Sequence, residues 1–114
     1  IPAHSSLMTP ASARLAERLS AIEVSMPEIP VLHNCNVLVA SSVDEIKSNL
    51  VSQLDSPVRW VESVNKMHAE GVSRFIESGP GRVLGGMVKR IVKGVEVGSI
   101  DKPDAISGLI DSDV

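Results

Sequence analysis

The segment between residues 71 and 100 constrains the fold most, because strand, turn, helix and strand signals follow one another directly. Residues 71–77 contain a turn and then an extended apolar stretch, and Ser78-Gly79-Pro80-Gly81 predicts a tight turn. Helical periodicity continues over 81–92, and 96–100 predicts a last strand. Two strands that flank a helix favour parallel pairing through a crossover connection. The sequence therefore predicts an α/β fold with a parallel-sheet layer and crossover helices.

Helical periodicity also organises the N-terminal half of the chain. One helix precedes Pro27 and Pro30, a second begins at the capping box Ser42-Val43-Asp44-Glu45 and ends at Ser56-Pro57, and a third continues to Gly71. A buried strand is predicted over 30–34, with a looser extended piece through residue 39. The predicted buried faces are Leu7, Ala11, Leu15, Leu19 and Ile22; Val43, Ile46, Leu50, Val51 and Leu54; and Trp60, Val61, Val64 and Met67.

Composition narrows the class of protein. The core must be aliphatic, because 43% of the residues are hydrophobic and only 2% are aromatic. A net charge of −3 without a stripe of basic residues argues against a nucleic-acid-binding protein. No apolar run is long enough to span a membrane. The single cysteine, Cys35, excludes an internal disulfide, so we expect a cytoplasmic protein with a buried, inert thiol. The histidines and Cys35 lack metal-ligand spacing, so no metal site is predicted.

His4 is the first candidate for chemistry. It lies on a turn that Pro2 constrains, just before the first helix, and a loop on a rigid scaffold can aim a catalytic base. A solvated or capping histidine is the alternative interpretation. His33 is either a site residue or a strand-end histidine satisfied by its neighbours, and His68 is predicted to be solvated in the last turn of a helix.

The helix predicted over 81–92 combines a glycine-rich start, two internal glycines and a cationic C-terminal end. Its N-terminus follows a glycine-rich turn, which is a potential anion site, although the P-loop order is missing. Gly85 and Gly86 are predicted to permit close approach of a neighbouring backbone. Three cations lie at its C-terminal end, Lys89, Arg90 and Lys93. They either are solvated side chains that suit the helix dipole or form a site for a partner. The predicted buried positions are Val83, Leu84, Met87, Val88 and Ile91.

Three motifs occur in order along the chain. They are Pro2-x-His4-x-x-Leu7-Met8-x-Pro10, then Leu50-Val51-x-Gln53-Leu54-x-x-Pro57-Val58-x-Trp60, then Glu77-x-Gly79-Pro80-Gly81-x-Val83-Leu84 followed by Lys89-Arg90-Ile91. On these motifs the chain resembles the C-terminal part of the malonyl-CoA:acyl carrier protein transacylases of bacterial fatty acid synthesis. Ser5, where a cysteine is often found, is a minor departure. The resemblance runs from Ile1 to about 110 and implies part of an α/β-hydrolase-like acyltransferase core, followed by a tail over 111–114 that should fray.

The resemblance implies a reaction that moves a malonyl group from coenzyme A to the phosphopantetheine thiol of acyl carrier protein through a serine ester, without a cofactor. His4 matches the catalytic histidine, and Gln53 matches a position whose main-chain carbonyl accepts a hydrogen bond from that ring. No G-x-S-x-G element occurs in the chain. The serine, the oxyanion-hole donors and the carboxylate-binding arginine are therefore expected in the N-terminal half of the same enzyme. This chain alone is expected to be inactive, with a cut apolar interface.

Two other functions remain open on the sequence. An acyltransferase domain of a polyketide or fatty acid synthase shares the histidine. A non-catalytic α/β interaction module would instead bind an acidic partner through Lys89, Arg90 and Lys93, the same cations that on the transacylase interpretation face the carrier protein. The start at Ile1, without Met, is expected for a trimmed chain or for a piece of a longer protein.

Overall fold

The computed structural model describes residues 2–112, and the chain forms two compact units that divide between Ser63 and Val64. Ile1, Asp113 and Val114 lie outside the described residues. The first unit contains a 3₁₀ turn at Ser6–Met8, helix α1 (Thr9–Ser20), helix α2 (Val43–Asp55) and the start of helix α3 (Trp60–Ala69). The second unit contains the rest of α3, strand β1 (Arg74–Ser78), helix α4 (Val83–Ile91), strand β2 (Glu96–Ile100) and helix α5 (Pro103–Ser112).

The second unit is built on a βαβ arrangement. Strands β1 and β2 pair in parallel, with Arg74 opposite Glu96 and Ser78 opposite Ile100, and α4 connects them. This confirms the predicted α/β class with parallel strands and a crossover helix. Parallel strands need such a crossover because a tight hairpin can join only antiparallel neighbours.

The buried face of α4 differs from the predicted one. Val88 is buried as predicted, and so are Gly85 and, just past the helix, Val92; Gly85 and Val88 are three residues apart and lie on one side of the helix. Burial was predicted for Val83, Leu84 and Met87, and this was wrong, because all three are exposed. A Cβ on Gly85 would lie 2.9 Å from Cγ1 of Val97, so the close neighbour is a side chain of β2 rather than backbone. A Cβ on Gly86 would meet nothing within 4 Å.

The first unit is held together by α1 packed against α2. Leu7 falls in the 3₁₀ turn before α1 and is 73% exposed, so its predicted place on the buried face was wrong. Ile22 and Val61, which were also predicted to be buried, are exposed.

The predicted strand over 30–34 is absent. One antiparallel bridge joins Leu32 to Val39, because the chain reverses between them. His33 N–H donates to the Leu38 carbonyl at 2.9 Å, and Val37 takes a left-handed φ of 61°. The reversal leaves too few extended residues for a strand, and the local periodicity could not show it.

The predicted capping box at the start of α2 is confirmed in its main feature. Ser42 Oγ accepts from the Glu45 N–H at 3.2 Å. The Glu45 carboxylate accepts from the backbone N–H of Ser41 at 2.6 Å and from its hydroxyl at 2.9 Å, one residue before the expected partner. These donors, the backbone N–H first, hold the pKa of Glu45 below its ordinary value.

At the C-terminal end, α5 runs from Pro103 to Ser112. The tail predicted to fray over 111–114 therefore begins within this helix, and 113–114 lie outside the described residues. Ile106 and Ile110 are exposed on α5. Within residues 2–112, no helix is long and apolar enough to cross a membrane.

Candidate catalytic site at the C-terminus of helix α2

His4 lies against the C-terminal end of α2. Its backbone N–H donates to the Leu54 carbonyl at 2.9 Å. Its φ of 59° is in the left-handed region, which a few non-glycine residues adopt and in which histidine is enriched. An unusual backbone conformation that is held by specific contacts is common at functional sites.

The ring of His4 makes the second contact with α2. Nδ1 lies 2.6 Å from the main-chain carbonyl oxygen of Gln53. A carbonyl oxygen can only accept, so Nδ1 carries the proton and Nε2 is the free acceptor in the neutral ring. The structure thus brings together His4 and Gln53, the two residues that the resemblance singled out.

Helix geometry explains why these carbonyls are available. The last four carbonyls of an α-helix have no partner within the helix, and Gln53 and Leu54 belong to that set in α2. The same end carries the negative pole of the helix dipole. A positive charge that develops on the His4 ring during proton transfer would therefore face a favourable potential.

Short-range hydrogen bonds fix the turn that carries His4. Ser5 Oγ donates to the Pro2 carbonyl at 2.7 Å, and Met8 N–H donates to the Ser5 carbonyl at 2.9 Å. Thr9 Oγ1 donates to the Ser6 carbonyl at 2.8 Å and lies 3.5 Å from a carboxylate oxygen of Asp55, the last residue of α2. The hydroxyl groups of Ser5 and Thr9, which both follow His4, thus hold the turn, and Thr9 also connects it to the end of α2.

The carbonyl of Leu54 is the functional group that sequence reasoning missed. Ser56-Pro57 predicted a helix end, and unpaired carbonyls one turn earlier follow from that. No sequence signal indicated that the backbone of His4, 50 positions away in the chain, would be the donor.

The other histidines and the cysteine take structural positions in the described chain. His33 is buried at the reversal before Val39, and its backbone N–H and carbonyl are both hydrogen-bonded. His68 is exposed as predicted, and its Nδ1 lies 3.3 Å from the Val72 carbonyl. Cys35 is half-buried rather than buried, with Sγ 3.7 Å from the Asn49 carbonyl. Across residues 2–112, no group of three His, Cys, Asp or Glu side chains converges as metal ligands would.

The cation cluster lies in the second unit. Lys89 and Arg90 are exposed in the last turn of α4, and Nζ of Lys93 donates to the Lys89 carbonyl at 2.9 Å. Lys93 therefore caps the C-terminus of the helix, where a cation is favoured by the dipole. The side chains of Lys89 and Arg90 are exposed on the same turn.

The N-terminus of α4, considered from the sequence as an anion site, is occupied by a side chain of the protein. The Glu77 carboxylate accepts from the backbone N–H groups of Leu84 at 3.2 Å and Gly85 at 2.8 Å. A carboxylate from β1 therefore satisfies the free donors that an external anion would otherwise bind.

Comparison with known proteins gives consistent matches. The chain is 43% identical over 105 residues to the malonyl CoA-acyl carrier protein transacylase of Bacillus subtilis, which covers 92% of this chain and 33% of that protein. A crystal structure of an acyl carrier protein S-malonyltransferase from Vibrio cholerae superposes with a TM-score of 0.88 at 42% identity, over 96% of this chain and 36% of that one.

A third similar structure shows a type II PKS acyl-carrier protein in complex with its malonyl-transacylase, with a TM-score of 0.88 at 40% identity over 97% of this chain and 36% of that one. No family model matches the chain. The chain spans about a third of the length of the curated relatives, and the part it matches is C-terminal.

Proposed function

Because the chain matches the C-terminal part of malonyl CoA-acyl carrier protein transacylases in sequence and fold, we propose that it supplies the general base of such an enzyme, His4. The observation that carries this proposal is the 2.6 Å contact between Nδ1 of His4 and the Gln53 carbonyl. A base needs a fixed tautomer, and this contact leaves Nε2 free to accept a proton.

The proposed reaction has two halves that use the same ring. A serine on a segment outside this chain attacks the thioester of malonyl-CoA, while Nε2 of His4 takes the serine proton and returns it to the departing coenzyme A thiolate. The phosphopantetheine thiol of acyl carrier protein then gives its proton to Nε2 and attacks the serine ester. The proton returns to the serine oxygen, and the malonyl thioester of the carrier protein leaves.

Gln53 acts in this proposal through its backbone. Its carbonyl orients the ring and faces the charge that the imidazole gains in each half-reaction, which is the task of the aspartate in other triads. The reaction uses no cofactor. Since the 114 residues contain no G-x-S-x-G element, the chain by itself is proposed to be inactive. A cytoplasmic location is proposed because its cysteine has no partner for a disulfide.

The experiment uses a fused protein in which this chain replaces the matching C-terminal third of the Bacillus subtilis relative. His4→Ala should lower the rate of malonyl transfer to acyl carrier protein by about 10²- to 10⁴-fold, the usual contribution of a general base. His68→Ala is the matched control, because His68 is an exposed histidine on α3. If His4→Ala keeps transfer near the rate of the unsubstituted fused protein, or if that protein folds but transfers nothing, the proposal is wrong.

The proposed partner is an acyl carrier protein, and its proposed contact includes Lys89, Arg90 and Lys93. Carrier proteins are acidic, and the exposed cations of α4 supply complementary charge. The similar malonyl-transacylase that was solved with its carrier protein supports this choice of partner.

A charge reversal tests the contact. Lys89→Glu with Arg90→Glu in the fused protein should raise the KM for the carrier protein by about tenfold or more and leave hydrolysis of malonyl-CoA unchanged, because only docking is weakened. Arg14→Glu with Arg18→Glu, on exposed positions of α1, is the matched control. An equal loss in transfer and hydrolysis would reject the docking site.

A further inference from the structure

The way in which α2 ends depends on residue 57, which lies just after the helix. In an α-helix the carbonyl of residue i accepts from the N–H of residue i+4, so the natural partner of the Gln53 carbonyl is the amide of residue 57. Residue 57 is proline, which has no N–H. Within α2, the carbonyl that receives the His4 ring is thus the one whose i+4 residue is a proline.

The residue before Pro57 adds a second constraint. Proline disfavours helical backbone at the preceding residue, and Ser56 is extended, with φ −113° and ψ 148°. The chain therefore leaves the helix at Asp55, and the amide of residue 58 is not placed over the Leu54 carbonyl as helix continuation would require.

The two freed carbonyls are the two that hold His4. Gln53 receives Nδ1 of the ring at 2.6 Å, and Leu54 receives the backbone N–H at 2.9 Å. A carbonyl oxygen can accept two hydrogen bonds, so an added amide at 57 would not by itself exclude the ring. An amide at residue 57 would, however, allow α2 to continue by one turn. The backbone of that added turn would then occupy the place where the His4 turn now caps the helix.

We propose that Pro57 is a positioning residue for His4, because its missing N–H and its effect on Ser56 keep the carbonyls of Gln53 and Leu54 free to hold the histidine. This inference deepens the proposed function and rests on it wherever activity is the readout. Downstream, the Arg59 N–H donates to the Asn34 carbonyl at 2.8 Å, so the chain after Pro57 is anchored and a substitution at 57 should act locally.

Pro57→Ala in the fused protein restores the amide. We expect kcat for malonyl transfer to fall by about 10- to 100-fold, the range seen when a histidine that ligates a metal loses its outer hydrogen-bond partner. The KM for malonyl-CoA should stay within about twofold, because substrate contacts are not altered. The ¹⁵N shifts of the His4 ring, assigned by their loss in His4→Ala, should show that Nδ1 no longer holds the proton in a single tautomer.

A backbone ester at residue 57 distinguishes the effect of the missing N–H from the effect of the proline ring. Pro57→lactic acid has no N–H and no ring, so it should recover most of the lost kcat and the wild-type ring shifts. Pro27→Ala, at an exposed proline outside the helices, is the control for general loss of proline and should change neither readout. Unchanged kcat and ring shifts in Pro57→Ala would overturn the inference. An ester variant that behaves like Pro57→Ala would overturn the role of the missing N–H and assign the effect to the influence of the proline ring on Ser56.

The two proposals fail in different ways. If His4→Ala has no effect on transfer, the proposed function is wrong, and the ring shifts still decide whether Pro57 positions His4. If His4→Ala abolishes transfer while Pro57→Ala leaves both kcat and the ring unchanged, only the role of Pro57 is wrong.

Discussion

The N-terminus of α4 and the C-terminus of α2 are each capped by a group from outside the helix, and they are capped in opposite ways. At the N-terminus of α4, the Glu77 carboxylate accepts from the N–H groups of Leu84 and Gly85, so a side chain satisfies the backbone. At the C-terminus of α2, the carbonyls of Gln53 and Leu54 accept from His4, so the backbone positions a side chain. At α4 the identity of the capping residue matters, whereas at α2 the identity of the residue that supplies the carbonyl does not.

The difference predicts which substitutions are tolerated. Replacing the Glu77 side chain removes its oxygens, and the donors of α4 lose their partner. Replacing the Gln53 side chain leaves its carbonyl in place, because every residue, proline included, presents the same main-chain carbonyl. The proposed base, His4, is therefore the sensitive residue at α2, and Glu77, which supplies the capping carboxylate, is the sensitive residue at α4.

The largest expected effect on stability is at Gly85, where the N-terminal turn of α4 meets β2. Gly85→Ala would place a Cβ 2.9 Å from Val97 Cγ1, so it should be less stable than Gly86→Ala by about 1–3 kcal/mol, the cost of such overpacking. Gly86→Ala is the matched control, because nothing lies within 4 Å of the added carbon, and it should stabilise by about 1 kcal/mol through helix propensity. Urea unfolding of the fused protein measures both, and equal shifts in the same direction would show that the contact with Val97 is unimportant.

A smaller effect is expected at the cap itself. Glu77→Ala should destabilise the fused protein by about 1–2 kcal/mol, because the first turn of α4 loses an acceptor for two N–H groups and a charge that suits the helix dipole. Urea unfolding is again the measurement. A loss below about 0.5 kcal/mol, the range of ordinary surface substitutions, would contradict a capping role.

Gln53→Ala belongs to the same experiment and should show the smallest effect. Its carbonyl remains, so malonyl transfer should stay within about twofold and unfolding within about 0.5 kcal/mol of the unsubstituted fused protein. A large loss of transfer in Gln53→Ala would show that its side chain takes part, and the contrast between the two helix ends would fail.

Much of the local structure followed from the sequence. The strand, turn, helix and strand signals between residues 71 and 100 correctly predicted the parallel βαβ unit, since each element has its own periodicity and turn residues. The predictions of an N-cap at Ser42 and of a helix end at Ser56-Pro57 also depended on local residues, and both were correct. The strand predicted over 30–34 failed because the reversal at Val37 depends on contacts across the turn rather than on the alternation of apolar residues.

Burial was predicted less well than secondary structure. Val83, Leu84 and Met87 share helical spacing with one another, but the face of α4 that packs inward carries Gly85 and, as predicted, Val88. Periodicity shows that a helix has an apolar stripe, and on α4 nearly every position is apolar or glycine. Which stripe is inward depends on the strands that the helix covers, so the sequence of the helix alone did not decide it.

The sequence by itself determined which segments are helical, where α2 is capped and stopped, and that residue 57 can donate no backbone hydrogen bond. These properties depend on neighbours a few positions away. Only the tertiary structure placed the His4 ring on the Gln53 carbonyl, because a backbone oxygen carries no residue-specific signal and its donor lies 49 residues earlier. The resemblance to known enzymes implied that contact, and the geometry of the folded chain supplies it.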